Sequence, residues 1–353
     1  FGLGSHTFNE LYGNTYNPYD LSKTPGGSSG GAAAALAADL LPLADGSDLG
    51  GSLRNPAGFC NVVGLRPSIG RMPFNRGLGW YGRMVTTGPM AKTVADTTLL
   101  FSVIAGPDAG DPLTLSEPGV TFLDALVPFS EDALRGLHIG YSTDLGSLQV
   151  DPEVAQSVRK AVQVMEDLGA STTASAPDLE GAMDAFQVQR AATLRLLAKG
   201  LEKISPQWRD MVKDTARWDM EKGLALSAED LIQAELQRTA VYQRAAAYFQ
   251  DHDALILPAA QVPPFPANQD WVSEINRVSM PTYIDWMAIC CVISVTGLPT
   301  ISVPGGFTRD GLPLGIQIVG KPRGDLQLLR LAQAFEAATQ FGKRRPDLQF
   351  ATR

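Results

Sequence analysis

Pro25-Gly26-Gly27-Ser28-Ser29-Gly30-Gly31-Ala32-Ala33-Ala34-Ala35-Leu36-Ala37-Ala38-Asp39-Leu40-Leu41-Pro42-Leu43-Ala44-Asp45-Gly46-Ser47-Asp48-Leu49-Gly50-Gly51-Ser52-Leu53-Arg54-Asn55-Pro56 is the run on which the reading of the chain turns. Two glycine-packed serine sites, Ser28/Ser29 and Ser52, flank a stretch of Ala and Leu. That stretch is rich in helix formers, begins just after Gly31 and must end before Pro42, which lacks an N–H. Leu41–Ala44 then reads as a short strand, so a helix–strand return carries both serines to one end of a sheet. Glycine on either side lets backbone N–H groups approach a ligand, because no Cβ intervenes. Ser28 and Ser52 are therefore expected to form one catalytic site.

Outward from this run, the pattern is α/β. Val62–Leu65 is a short apolar strand bounded by turn residues. Thr93 caps a helix to about Ala105 with Val94, Leu99, Leu100 and Val103 on its apolar side. Leu137–Tyr141 is a strand, and Asp151-Pro152-Glu153 opens an amphipathic helix that Gly169 closes. Strand, helix and a further β-like run make a βαβ unit and a parallel pairing. Residues 183–250 are mostly helical, with Ser227 as a cap. Ala254–Leu257, Thr300–Val303 and Leu314–Val319 are strands, the last two joined by a turn whose Asp310-Gly311 favours a hairpin. A final helix is capped by Asp325, with Leu328, Leu331, Ala332, Phe335 and Ala338 on one face. No repeat or interdomain linker breaks the sequence, so a single large domain is expected.

Composition narrows the function classes. The 353 residues are 44% hydrophobic and 19% charged, ordinary for a globular chain. A net charge of −8, without a basic run, argues against a nucleic-acid footprint. Cys60, Cys290 and Cys291 suit neither a disulfide framework nor a zinc site, which makes the cytoplasm the default location. The histidines His6, His138 and His252 are scattered, so no metal is expected. Trp286–Thr308 carries no charge, but Gly297, Pro299, Pro304 and Gly305-Gly306 interrupt it; a buried helix, loop and strand fit better than a membrane span.

Three readings compete for the Ser28 loop. One is a flexible glycine turn. A second is a phosphate cradle, yet no lysine follows in the P-loop pattern. The third is the G-x-S-x-G elbow of α/β-hydrolases, which must follow a strand, whereas Asp20–Pro25 is polar and proline-terminated. That elbow also needs an acid and a histidine, and Asp251-His252 carries no other sign of a triad. The second serine shifts the balance: Ser52 follows two glycines and precedes a short helix, so N–H groups at 49–52 can converge on one oxygen. Asp48 and Arg54 flank it with opposite charges, either pinning the loop or standing as a turn aspartate and a solvated arginine.

Taken together, Pro25–Gly31 and Gly46-Ser47-Asp48-Leu49-Gly50-Gly51-Ser52-Leu53-Arg54-Asn55-Pro56-Ala57 resemble the signature of the amidase signature family. Gly64-Leu65-Arg66-Pro67-Ser68, Thr87-Gly88-Pro89-Met90 and Gly311–Gly320 resemble the rest of the pattern. The resemblance implies an α/β fold with a mixed, twisted β-sheet covered by helices on both faces. It implies amide hydrolysis by a Ser–cis-Ser–Lys triad with no cofactor: Ser52 as the acyl-forming nucleophile and Ser28 as the serine after a cis peptide bond. Leu49, Gly50, Gly51 and Ser52 would supply oxyanion-hole N–H groups, with Ser29 beside them supporting the loop and Asp48 and Arg54 supporting the site. The family's lysine lies ahead of the loop in sequence that would precede Phe1, so residues 1–353 are expected to be the C-terminal part of a longer amidase; Lys23 and Lys92 are not recruited in its place. The expected partners are a small-molecule amide and a second copy in a homodimer, with no nucleic acid and no membrane. Alternatives are the amidotransferase component that works on charged tRNA and a non-catalytic relative. The Gly77–Tyr81 loop, Trp208 and Trp218 are the candidate substrate walls.

Overall fold

A computed structural model describes residues 3–74, 83–128 and 130–348. The strands are β1 (Phe8–Asn9), β2 (Gly13–Asn14), β3 (Leu43–Asp48), β4 (Val63–Arg66), β5 (Thr86–Ala91), β6 (His138–Tyr141), β7 (Ser171–Ala174), β8 (Ala254–Pro258), β9 (Glu274–Ile275), β10 (Val278–Ser279), β11 (Thr300–Phe307) and β12 (Pro313–Gly320). The helices are α1 (Gly30–Ala37), α2 (Arg54–Phe59), α3 (Val94–Ile104), α4 (Pro152–Asp167), α5 (Ala182–Ile204), α6 (Trp208–Met211), α7 (Asp214–Ala225), α8 (Ala228–Asp251), α9 (Ala288–Thr296) and α10 (Asp325–Thr339).

Eight strands form one mixed sheet in the order β3-β5-β4-β11-β12-β8-β6-β7. Among the described residues only the β6–β7 and β6–β8 pairs are parallel, and β6-α4-β7 is the expected βαβ unit. Side chains of β8, β11 and β12 are buried almost throughout, which is why these strands read as continuous apolar runs. One large apolar cluster packs α5, α8 and α9 with Leu255, Leu257 and Val319; another packs α3, α4 and α10 with Val63, Leu65, Ile256 and Ile316. Residues alternating along β8 thus serve two cores, one on each face of the sheet.

Local chemistry places most ends where the sequence puts them. Asp151 accepts the Glu153 N–H and Pro152 opens α4. Ser227 and Asp230 form a reciprocal capping box on α8.

Four expectations need correction. The strand expected at Leu41–Ala44 is β3, Leu43–Asp48: Leu40, Leu41 and Pro42 are exposed, and pairing with β5 starts at Leu43↔Ala91. On α3 the buried face is Val94, Thr97, Thr98 and Phe101, while Leu99 and Val103 are exposed. The threonine hydroxyls donate to the Thr93 and Val94 carbonyls, which lets them be buried. Asp325 does not cap α10; its carboxylate accepts the Ser68 N–H at 2.8 Å and Arg71 Nε at 3.0 Å, while Gly324 holds the cap position. Ala338 is exposed on that helix. The Gly77–Tyr81 loop lies outside the described residues.

Candidate active site

The loop before α1 is fixed from three directions. Thr24 Oγ1 accepts the Gly26 N–H at 3.0 Å, Thr7 Oγ1 donates to the Gly26 carbonyl at 2.9 Å, and Asn55 Oδ1 accepts the Gly27 N–H at 3.1 Å. The Gly27–Ser28 peptide bond is cis. Ser29 stands at the N-cap of α1 without capping it; its Oγ instead accepts the Ser47 N–H at 3.3 Å and lies 3.5 Å from the Ser47 carbonyl. This approach to β3 requires glycine at 46, where a Cβ would stand 2.5 Å from Ser29 Oγ. The Ser29 N–H donates to the Ser52 carbonyl at 3.3 Å. The helix–strand return does bring the two serine loops together.

The second loop is built on Asp48, which is wholly buried at the end of β3. Its Oδ1 accepts the Gly51 N–H at 2.9 Å and its Oδ2 the Leu53 N–H at 3.2 Å. Arg54 grips the same carboxylate through Nε and Nη2, both at 3.0 Å, and Arg66 Nη1 lies 3.3 Å from Oδ1. Neither the turn aspartate nor the solvated arginine is found: both side chains are fully buried. Burial opposes the Asp48 charge, but Arg54 and Arg66 outweigh it and hold its carboxyl well below the usual range. Burial likewise opposes the Arg54 charge, and Asp48 outweighs it, so that guanidinium is held above its ordinary value. For Arg66 burial wins, with Arg54 adding to it, and its pKa is lowered to about 10.

This network corrects one expectation about donors. The Gly51 N–H is committed to Asp48, so it does not face a ligand. Among the described residues, the N–H groups of Leu49, Gly50 and Ser52 donate to no protein acceptor. The Gly51 carbonyl accepts the Arg54 and Asn55 N–H groups at 2.9 and 2.8 Å, so the Ser52 N–H on the same peptide points the other way.

Several neighbours were not singled out from the sequence. A Cβ on Gly50 would stand 2.6 Å from Phe186 Cζ and 3.2 Å from Cys291 Sγ; one on Gly51 would stand 2.6 Å from Cys290 Cβ. Phe186 of α5 and the cysteines of α9 thus lie directly against the loop. Arg54 also donates to Gln317 Oε1 at 2.9 Å and Ser294 Oγ at 2.6 Å. Their signal was a polar residue inside an apolar strand or helix: Arg66 in Val-Gly-Leu-Arg, Gln317 in Gly-Ile-Gln-Ile-Val, Ser294 in Val-Ile-Ser-Val.

Other candidates lie elsewhere or take other roles. His252 bonds Ser175 Oγ and the Tyr248 carbonyl, neither of them in the serine loops. Lys92 pairs with Asp39. Trp208 is buried in a small cluster with Leu194 and Met220, whereas Trp218 is 39% exposed and meets Tyr283 edge-on. Among the described residues no group of three or more His, Cys, Asp or Glu is placed to hold a metal ion, and no helix is long and apolar enough to cross a membrane.

The chain is similar to several known proteins. The model of the family described as Amidase matches residues 1–329. An acylamidase of Rhodococcus erythropolis is 34% identical over 349 residues, covering 98% of this chain and 71% of that protein. A glutamyl-tRNA(Gln) amidotransferase component from Myxococcus xanthus is 35% identical over 370 residues, covering 98% of this chain and 73% of that protein. The crystal structure of a bacterial aryl acylamidase belonging to the amidase signature enzymes superposes with a TM-score of 0.88 at 30% identity, covering 97% of this chain and 72% of that one.

Proposed function

Because the chain belongs to the amidase signature family, we propose that it hydrolyses carboxylic amides through an acyl-enzyme on Ser52. The observation that carries this reading is the junction of the two loops. Ser52 is tied to the cis Gly27–Ser28 segment through the Ser29 N–H, beside backbone N–H groups that no acceptor among the described residues takes up.

The chemistry follows from those groups. A neutral base takes the Ser28 proton as Ser28 takes that of Ser52; from the family resemblance, the base is a lysine ahead of residue 1. Ser52 Oγ attacks the amide carbonyl, and the N–H groups of Leu49, Gly50 and Ser52 receive the oxyanion. One such donor is worth about 2.7–4 kcal/mol in the transition state. The buried Asp48–Arg54–Arg66 cluster carries one surplus positive charge behind the loop, which favours the developing negative charge. Ser28 returns a proton to the leaving amine, which departs as the C–N bond breaks. Water then cleaves the ester and restores Ser52. Phe186, packed against Gly50, favours an apolar acyl group beside the loop.

Steady-state hydrolysis of an acyl anilide and a simple aliphatic amide by the full-length protein tests this. Ser52→Ala should lower kcat by at least about 10⁴-fold with the fold intact; retained turnover would remove Ser52 from its role. A second reading, an amidotransferase component that works on charged tRNA, is supported by the 35% identity to the Myxococcus protein. Copurification with partner proteins and poor turnover of small amides alone would favour it.

A further inference from the structure

From the hydrogen bonds around β4 we infer that Arg66 is a positioning residue for the oxyanion, acting through the Asp48–Leu49 peptide; this rests on the acyl-enzyme reading above. Arg66 ends β4 and is fully buried. Its Nη1 donates to the Asp48 backbone carbonyl at 2.5 Å as well as approaching the Asp48 carboxylate, and its Nη2 donates to the Met84 carbonyl at 2.7 Å and the Ser294 carbonyl at 3.3 Å. The guanidinium is therefore locked to three segments of chain by groups that are themselves fixed.

The Asp48 carbonyl shares its peptide plane with the Leu49 N–H. Gly27–Ser28 is the cis bond among the described residues, so the 48–49 peptide is trans and its C=O and N–H point in opposite directions. Holding the carbonyl on Arg66 aims the Leu49 N–H away from the buried cluster, and no protein acceptor among the described residues takes it up. Leu49 is also partly exposed, whereas Asp48 and Gly50 on either side are buried. A cation on the carbonyl polarises the peptide and makes its N–H a stronger donor.

The Ser52 N–H is aimed by different means, since the first turn of α2 holds the Gly51 carbonyl of the same peptide. Arg54 cannot replace Arg66, because its Nε, Nη1 and Nη2 all bond side chains and none bonds the Asp48 carbonyl. Asp48 holds Gly51 and Leu53, and Arg66 holds the peptide that carries Leu49.

The test compares wild type, Arg66→Lys, Arg66→Gln and Arg66→Met in the full-length protein. It measures kcat, KM, melting temperature and affinity for a boronic acid that forms a tetrahedral adduct on a serine. Arg66→Met should lower kcat by about 10²-fold or more, with KM changed less than about threefold, and should weaken boronate binding in parallel. Arg66→Lys should recover part of both, because it keeps charge and donor. Arg66→Gln keeps an N–H donor without the charge, should fall between, and decides the matter if Arg66→Met does not fold. Folded variants with unchanged kcat, or with kcat lost and boronate affinity intact, would overturn the role of Arg66. Wild type that forms no Ser52 adduct would instead overturn the acyl-enzyme reading.

Discussion

The Ser29 N–H donates to the Ser52 carbonyl at 3.3 Å, so the loop that opens α1 and the loop that opens α2 are stitched together through their backbones. Side chains then tie each loop to the framework, Asn55 under the first and Asp48 under the second. Each of these ties makes a separate prediction.

Asp48→Asn should destabilise the protein by about 3 kcal/mol or more, because it leaves Arg54 and Arg66 buried without a counter-charge. The sign with pH is fixed by the lowered carboxyl pKa. The stabilisation is full above an unfolded pKa of about 4 and is lost progressively as pH falls below it. Urea unfolding at pH 7 and pH 3 should show a wild-type loss that the variant lacks in part.

Asn55→Ala strands the buried Gly27 N–H, since Asn55 Oδ1 is its acceptor. The expected cost is about 1–3 kcal/mol. An unchanged urea midpoint would show that the contact holds nothing in place.

Glu336 introduces a pH dependence of the opposite sense. Burial raises its pKa to about 7, outweighing the Val94 N–H that its carboxylate accepts at the start of α3, and Asp96 adds to the rise. A carboxyl whose folded pKa exceeds its unfolded value weakens the fold as pH rises between the two, here from about 4.5 to about 7. Glu336→Gln should flatten that slope, which amounts to about 3 kcal/mol at its limit. An identical slope in wild type and variant would exclude Glu336 as its source.

All three thiols should be silent in the native state. Cys60, Cys290 and Cys291 are free and buried, and burial pushes the Cys290 thiol up to about 11 and raises the other two well above the ordinary thiol value. A thiol reagent at pH 8 should titrate none before denaturation and 3 after it. Rapid native reaction would mean that α9 opens away from Gly50 and Gly51.

Much of the fold was legible because its signals are local. Asp151-Pro152-Glu153 declares a helix start, Ser227 caps α8, and Asp310-Gly311 turns β11 into β12. The serine pair was legible for the same reason, since paired glycines mark where backbone must approach backbone. What escaped is non-local. Arg66 reaches Asp48 across the sheet, Gln317 meets Arg54 from β12, and Phe186 arrives on α5. Asp325 looked like a cap because a helix follows it, yet its partners Ser68 and Arg71 lie far upstream. Leu99 and Val103 looked like core because they are apolar; the buried phase of α3 is set by threonines that bond their own backbone. The commitment of the Gly51 N–H to Asp48 was hidden for another reason: a Gly-Gly-Ser run offers every N–H equally.

Reacting the full-length protein with a fluorophosphonate and mapping the adduct by peptide mass spectrometry decides whether Ser52 carries the acyl group. One modified peptide should appear, bearing the label on Ser52, lost in Ser52→Ala and formed far more slowly in Ser28→Ala. Label on any other residue, or amide turnover by a protein that Ser52→Ala leaves fully reactive, would contradict it.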